Sequence, residues 1–462
     1  MSKSLPIVAI VGRANVGKSS LFNAVLRRRE AIVAREAGTT RDSIFAIAQH
    51  HDRQFWLVDT AGVKTPEDDF EFTIQEQITQ AADSADVIWV VIEADTKITE
   101  EDRRLAKLAL KSKKPVFLVA NKADKAKKAT ENDYKKLGIK DIVLTSTTQN
   151  GGINRLLDEV IEVIPKRQKR SEDTRINLAL LGRPNVGKSK LFNAMAKKQQ
   201  AVVSERAGTT RDVNRIDVRY EGREMHLMDT AGIRKSGKIG KGIEHFSVIR
   251  SLAAIEQADI CLLLIDVNEL GVSLDQKIAG MIKEANKGLV LVVSKWDPEG
   301  RSRTSDEASA ADLFNQARRH IMHTFDFVPW APLIFTSAVD GQNVTKLFEL
   351  ALEIYGRRQT QIKTAKLNKW LKKTTDSHPP AGLKNKKPKL HYIMQESDNP
   401  TNFKVFGSDT KFLHWSYKRH MERSFRETFG FEGTAIRFWF FDRRDPKRSE
   451  RNKVQETDSS QN

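Results

Sequence analysis

Two versions of one octapeptide carry the sharpest chemistry in the sequence, GRANVGKS at 12–19 and GRPNVGKS at 182–189. Binding a phosphate tail takes backbone donors close to oxygen atoms, a mobile positive charge and a hydroxyl for a metal; GxxxxGKS supplies all three. Gly12 and Gly17, like Gly182 and Gly187, permit a tight loop. Its amides aim at a β-phosphate, at the positive end of the helix that follows. Arg13, Ala14, Asn15 and Val16 fill the first loop, and Arg183, Pro184, Asn185 and Val186 the second. Lys18 and Lys188 are placed to reach β- and γ-oxygens, and Ser19 and Ser189 to ligate Mg²⁺.

A second pair of motifs, DTAG at 59–62 and 229–232, ends apolar runs. Asp59 and Asp229 suit action on Mg²⁺ through water, and Gly62 and Gly232 can turn a backbone N–H toward a γ-phosphate. Thr60, Ala61, Thr230 and Ala231 complete these turns, and Val63 and Ile233 follow them. AGTTRD, at 37–42 and 207–212, offers Thr40 and Thr210, with Thr39 and Thr209 as substitutes. Those threonines would close over the metal only while a γ-phosphate remains, an order–disorder switch. The catalytic sets are thus Lys18, Thr40, Asp59 and Gly62, then Lys188, Thr210, Asp229 and Gly232, with Ser19 and Ser189 completing the Mg²⁺ ligands. The plainer alternative is that AGTTRD is a polar turn and DTAG a helix cap.

Base choice falls to NKAD at 121–124. Asp124 can accept from both donors on a guanine edge, Lys122 can stack over the ring, and Asn121 can brace the loop beside Ala123. The Ser146–Thr147 peptide would offer an N–H to the base oxygen. Ser294, Lys295, Trp296 and Asp297, with Ser337 and Ala338, stand in the corresponding places of the second copy. GTP and GDP are therefore the expected ligands of both.

These motifs need a scaffold, and the sequence shows it twice. The loop, AGTTRD and DTAG all recur at an offset of 170, which drifts to 173 at SKWD and 191 at TSA. Insertions in the second copy explain the drift, chiefly a polar loop around PEGRSRTSDEASA that leads into an exposed helix. So long a period means duplicated domains. In each copy short apolar runs alternate with amphipathic segments, the pattern of α/β domains with mostly parallel sheets and helices on both faces. HHDR and EGRE look like hairpin turns that make one edge strand antiparallel.

With 462 residues, about three domains are expected. The boundaries read as 1–165 and 176–356 for the two phosphate-binding domains, 166–175 for a charged linker, 357–445 for a small basic α+β domain, and 446–462 for a disordered tail. The net charge is +18, and from Arg357 to Lys453 there are 24 Lys and Arg against 10 Asp and Glu. Bases there alternate with aromatics, as in KNKKPKLHYI and HWSYKRHMERSFRETF, which suits phosphate contact with stacking on unpaired bases. Phe438, Trp439 and Phe440 are read as strand core. The single cysteine, Cys261, excludes an internal disulfide and fits core packing in a reducing compartment. No stretch approaches 18 apolar residues, so a cytoplasmic protein without membrane contact is expected.

Two such cassettes in one chain resemble the bacterial EngA (Der) family. The likeness spans nearly the whole chain and includes DTAGIRKSGKIGKGIEHFSVIRSLAAI at 229–255, KLNKWLKKTTDSHPP at 366–380 and FGFEGTAIRFWF at 429–440. It implies a GTPase with a C-terminal KH-like domain that acts in assembly of the large (50S) ribosomal subunit. Expected partners are that subunit, its precursors and rRNA reached through the basic domain, with the chain a monomer. Hydrophobic Val63 and Ile233 stand where many GTPases orient water with glutamine, so intrinsic hydrolysis should be slow. Similar GTPases use K⁺ held by a P-loop asparagine, which points to Asn15 and Asn185; the alternative is that they only brace their loops.

The departures carry expectations too. Ser294 replaces an asparagine brace, so the second pocket should hold nucleotide about fivefold more loosely, roughly 1 kcal/mol. No GxxG lies between helices of the third domain, where GFEG at 430–433 joins helix to strand. That domain either contacts rRNA through its charged face or docks on the second GTPase domain. Readings from other classes are a GTP-binding scaffold or checkpoint protein with negligible turnover, and a partner of an RNA-modifying enzyme.

Overall fold

The structure, a computed structural model, describes residues 5–26, 45–51, 53–60, 78, 81–82, 84–126, 129–165, 175–198, 215–229, 248–296, 310–383, 386–397 and 400–442. Most of the linker, the polar loop before residue 310 and the C-terminal tail lie outside these residues.

The first cassette contains β1 (Ile7–Val11), α1 (Lys18–Leu26), β2 (Phe45–His50), β3 (Arg53–Asp59), β4 (Val87–Glu93), α2 (Glu100–Lys111), β5 (Val116–Asn121), β6 (Asp141–Leu144) and α3 (Ile153–Val163). The second contains β7 (Ile176–Leu181), α4 (Lys188–Lys198), β8 (Arg215–Tyr220), β9 (Arg223–Asp229), α5 (Val248–Gln257), β10 (Ile260–Asp266), α6 (Ser273–Glu284), β11 (Gly288–Ser294), α7 (Ala310–Thr324), β12 (Leu333–Phe335) and α8 (Val344–Arg358). The sheets run β2-β3-β1-β4-β5-β6 and, in the same sense, β8-β9-β7-β10-β11-β12. Every pairing is parallel except the edge hairpins β2–β3 and β8–β9, as HHDR and EGRE imply. His51 and Glu221 turn those hairpins at φ 50° and 45°, in the left-handed region.

Central strands such as IVAIV, and VIWVVIE up to its final Glu93, are continuous apolar runs because helices cover both faces of a parallel sheet. The amphipathic α3 buries Ile153, Leu156, Leu157 and Val160 against Phe117, Val119 and Val143 of the first sheet. Each such side chain contributes about 1.5–3 kcal/mol. Cys261 is fully buried on β10, between Ala179 and Leu289 of the neighbouring strands.

The two cassettes touch within one compact unit, Met1–Ala351. Glu256, at the end of α5, is buried and reaches the first cassette, where Trp56 Nε1 and Leu5 N donate to it at 2.6 and 3.1 Å. The same helix end is closed by Lys287, fully buried, whose ammonium donates to the carbonyls of Glu256 and Ala258 at 2.7 and 2.9 Å. A cation at a helix C-terminus answers the dipole and the unpaired carbonyls together.

The second unit, Leu352–Asn462, holds α9 (Thr364–Ser377), β13 (Lys389–Gln395), β14 (Asn402–Ser408), α10 (Trp415–Phe429) and β15 (Arg437–Asp442). That is the helix, strand, strand, helix, strand order legible in the sequence. β13 pairs antiparallel and β15 parallel with the central β14. α9 and α10 bury Leu367, Trp370, Met421 and Phe425 against Ile393, Phe403 and Val405. Strand alternation corrects the core reading of β15. Phe438 and Phe440 pack on that core, whereas Trp439 points the other way and lies under the Arg437 guanidinium, 5.3 Å from the ring centre.

Candidate functional site: two phosphate loops

Each loop leaves the end of a central strand, β1 or β7, and opens a helix at its lysine. Asn15 and Asn185 take φ of 65° and 63°, a left-handed conformation that asparagine tolerates, and Gly17 and Gly187 take 92° and 96°. The backbone runs close to the next strand. A Cβ at Gly12 would stand 2.5 Å from Val91 O, and one at Gly182 2.8 Å from Leu264 O. Lys18 Nζ donates to Gly12 O and Arg13 O at 2.8 and 2.5 Å, and Lys188 Nζ to Gly182 O and Arg183 O at 2.9 and 2.7 Å. Both ammonium groups are thus held against carbonyls of their own loop.

The metal-side residues also meet. Ser19 Oγ donates to Asp59 Oδ2 at 2.7 Å and Ser189 Oγ to Asp229 Oδ2 at 3.3 Å, with both carboxylates buried. A hydroxyl and a carboxylate side by side form a hard oxygen set that fits Mg²⁺, which keeps several waters and takes one or two carboxylates. Thr60 locks this strand end, its N–H and Oγ1 both donating to Ile10 O. Thr39, Thr40, Ala61, Gly62, Val63, Thr209, Thr210, Thr230, Ala231, Gly232, Ile233 and Asp297 lie outside the described residues.

On the base side, Asn121 Nδ2 donates to Val16 O at 3.1 Å, while its Oδ1 accepts from Thr145 Oγ1 at 3.3 Å. Lys122, at φ 62°, sends Nζ to Asn15 O at 3.0 Å and to Glu93. Ser146 Oγ donates to Asp124 Oδ1 at 2.6 Å, and this hydrogen bond first of all holds the Asp124 carboxyl below the usual carboxylate range. Asp124 is therefore a charged acceptor. Ser146 N and Ser337 N bond Gly151 O and Gln342 O, so any N–H turned to a base comes from the next peptide, at Thr147 or Ala338.

Two details change the sequence reading. Ser294 Oγ donates to Val186 O at 2.7 Å, the same loop carbonyl that Asn121 braces in the first copy. The brace is kept by a shorter side chain, so the reason given for a looser second pocket does not hold. Trp296, read as a nucleotide contact, has a buried indole packed edge-on against Phe335 at 4.8 Å and Phe314 at 6.0 Å. Its backbone is held as Ala123 is in the first copy, with Trp296 N donating to Thr336 O as Ala123 N does to Thr145 O.

Sequence reasoning missed the residues that pin the loop arginines. Arg13 Nε donates to Asp102 at 2.8 Å and Arg183 Nε to Asp275 at 3.2 Å, so both arginines turn toward α2 and α6. Asp102 and Asp275 stand at the 173 offset, and an alignment of the two copies would have paired them.

A protein-family model described as "50S ribosome-binding GTPase" matches residues 7–122 and again 177–295. Another, "KH-domain-like of EngA bacterial GTPase enzymes, C-terminal", matches 361–440. The chain belongs to the EngA (Der) family of GTPases. "GTPase Der" of Thermomicrobium roseum is 38% identical over 450 residues, 95% of this chain and 96% of its own. "GTPase Der" of Caldanaerobacter subterraneus subsp. tengcongensis is 39% identical over 436 residues, 94% and 98% of the two chains. As an EngA-family GTPase the chain binds GTP. No helix among the described residues is long and apolar enough to cross a membrane.

Proposed function

We propose that this EngA-family GTPase is a molecular switch for assembly of the large ribosomal subunit, engaging pre-ribosomal particles with GTP bound and leaving them after hydrolysis. The observation that carries the reading is that one chain holds two complete lysine, serine and aspartate constellations and a third unit with a strong basic excess. In each cassette Lys18 or Lys188 neutralises charge on the phosphates, and Ser19 with Asp59, or Ser189 with Asp229, would hold Mg²⁺, which supplies charge stabilisation when bound. Asp124 and Lys122 select and cover guanine in the first. Thr40 and Thr210 are the proposed closing residues of the switch loops. The chain acts as a monomer in the cytoplasm.

Hydrolysis is proposed to be slow and K⁺-stimulated, with Asn15 and Asn185 as K⁺ ligands; both asparagines are solvent-exposed at the loop apex. The basic third unit is proposed to meet rRNA, and its solvent-facing sheet side supports this. Tyr392 and Phe441 are about two-fifths exposed there, and Phe406 lies between them in ring contact with both. Bases stack on such aromatic surfaces.

Gradient co-sedimentation with ribosomal subunits tests the reading. A non-hydrolysable GTP analogue should support binding that GDP does not, and binding should weaken steeply with salt. Equal binding with both nucleotides would refute the switch.

A further inference from the structure

We propose that His50, His51 and Asp158 form a binding site for a zinc-class divalent cation on the first cassette, separate from its nucleotide loop. His50 closes β2, His51 forms the hairpin turn and Asp158 projects from α3. The three ligand atoms all lie within 4.8 Å of one another. Asp158 Oδ1 is 2.6 Å from His50 Nε2 and 3.3 Å from His51 Nε2, and the two imidazole rings are 4.3 Å apart.

Ligands about 2.0–2.1 Å from a tetrahedral zinc ion stand about 3.3 Å from each other. The His51–Asp158 pair already has that separation. The His50–Asp158 pair reaches it by opening about 0.7 Å, a side-chain rotation at a carboxylate that is more than half exposed. Two imidazoles and one carboxylate suit zinc, nickel or cobalt and leave the fourth position to solvent. They do not suit Mg²⁺, which prefers oxygen. The left-handed backbone of His51, at φ 50°, puts consecutive histidines on the same partner, where an extended strand would send them to opposite faces. Nearby, Arg53 donates to the carbonyls of Ile164 and Pro165 and so ties the same hairpin to the end of α3.

The second cassette makes the corresponding tie without nitrogen ligands. There Tyr220 Oη donates to Glu349 at 3.3 Å, joining its hairpin strand to α8. A strut between hairpin and last helix is thus common to both copies, and the histidine pair is particular to the first. A cation bound there would fasten the turn that leads into β3, the strand that carries Asp59.

The test uses untagged full-length protein, cleared of metal and nucleotide in Mg²⁺-free buffer. It is titrated with Zn²⁺ by calorimetry and with Co²⁺ by visible absorption, as wild type, His51→Ala and Asp158→Asn. We expect one Zn²⁺ bound at least tenfold more tightly by wild type than by either variant, tetrahedral Co²⁺ bands only in wild type, and guanosine nucleotide affinity unchanged in all three. Zn²⁺ should raise the melting temperature of wild type and leave that of His51→Ala unmoved. Because the His51 side chain is exposed, its removal leaves the core intact and this variant carries the decision. Zn²⁺ affinity equal in wild type and His51→Ala, or no Zn²⁺ uptake by wild type, overturns the site and leaves the cluster a hydrogen-bonded strut.

Discussion

The Trp56 indole N–H donates to Glu256 Oε1 at 2.6 Å, a bond spanning 200 residues that joins β3 of the first cassette to the end of α5 in the second. Leu5 N holds the other carboxylate oxygen, so a side chain with little access to water has donors on both sides. Removing the indole donor from a buried carboxylate costs about 1–3 kcal/mol. We expect Trp56→Phe to destabilise by at least that amount in urea unfolding, since the smaller ring also leaves a void in the core. In a double-mutant cycle with Glu256→Gln, the two changes should be strongly non-additive. Additive losses would mean that the bond contributes nothing.

Asp102 and Asp275 hold matching places in the two copies but differ in the capping residue beside them. In the first copy Thr99 caps α2, and its N–H and hydroxyl both donate to Asp102 Oδ2. In the second, Val272 stands at the cap, and Asp275 Oδ1 is buried with no partner among the described residues. Burial outweighs the Arg183 guanidinium and pushes the Asp275 carboxyl up to about 6. The folded state therefore holds this proton more tightly than the unfolded chain. Its contribution is full below about pH 4 and is lost as pH rises through about 6, at most about 3 kcal/mol. Val272→Thr should lower the Asp275 pKa, flatten that pH dependence and add about 1 kcal/mol at neutral pH. Unfolding measured from pH 4 to 7, with Asp275→Asn as the flat control, checks it.

The brace made by Ser294 predicts a nearly silent replacement. Ser294→Asn should change second-site GDP affinity by less than about twofold, since either side chain can reach Val186 O. A Cβ at Gly187 would meet nothing within 4 Å, so the longer amide has room. Ser294→Ala, which removes the donor, should weaken binding by about fivefold. Titrations in an Asp124→Asn background isolate this pocket.

Turnover should be faster in K⁺ than in Na⁺ buffers at equal ionic strength. The difference should vanish in the Asn15→Ala, Asn185→Ala double variant while nucleotide affinity persists. Equal rates in both salts for wild type would remove the potassium proposal.

Much of this was legible in the sequence because it is local or repeated. GxxxxGKS fixes a loop within eight residues, HHDR fixes a hairpin, and the offset of 170 lets each cassette vouch for the other. What escaped depends on partners distant in the chain. Glu256 reads as an ordinary helical residue until the first cassette lies against it. Trp296 sits inside a nucleotide motif yet turns inward, because Phe314 and Phe335 offer an aromatic pocket supplied by later elements. Ser294 is shorter than asparagine, and its reach to Val186 O depends on the loop's position in space, which residue type does not reveal. In β15, four consecutive aromatics from Phe438 to Phe441 conceal the alternation that sends Trp439 outward.

Cys261, fully enclosed in the middle of the second sheet, makes this protein its own stopwatch. With a single thiol in the sequence, a thiol-selective reagent that labels the protein under native conditions reports the opening of that sheet. The rate of label uptake thus clocks the opening of one cassette while its twin stays invisible, and the effect of each nucleotide on that cassette can be timed without engineering a probe.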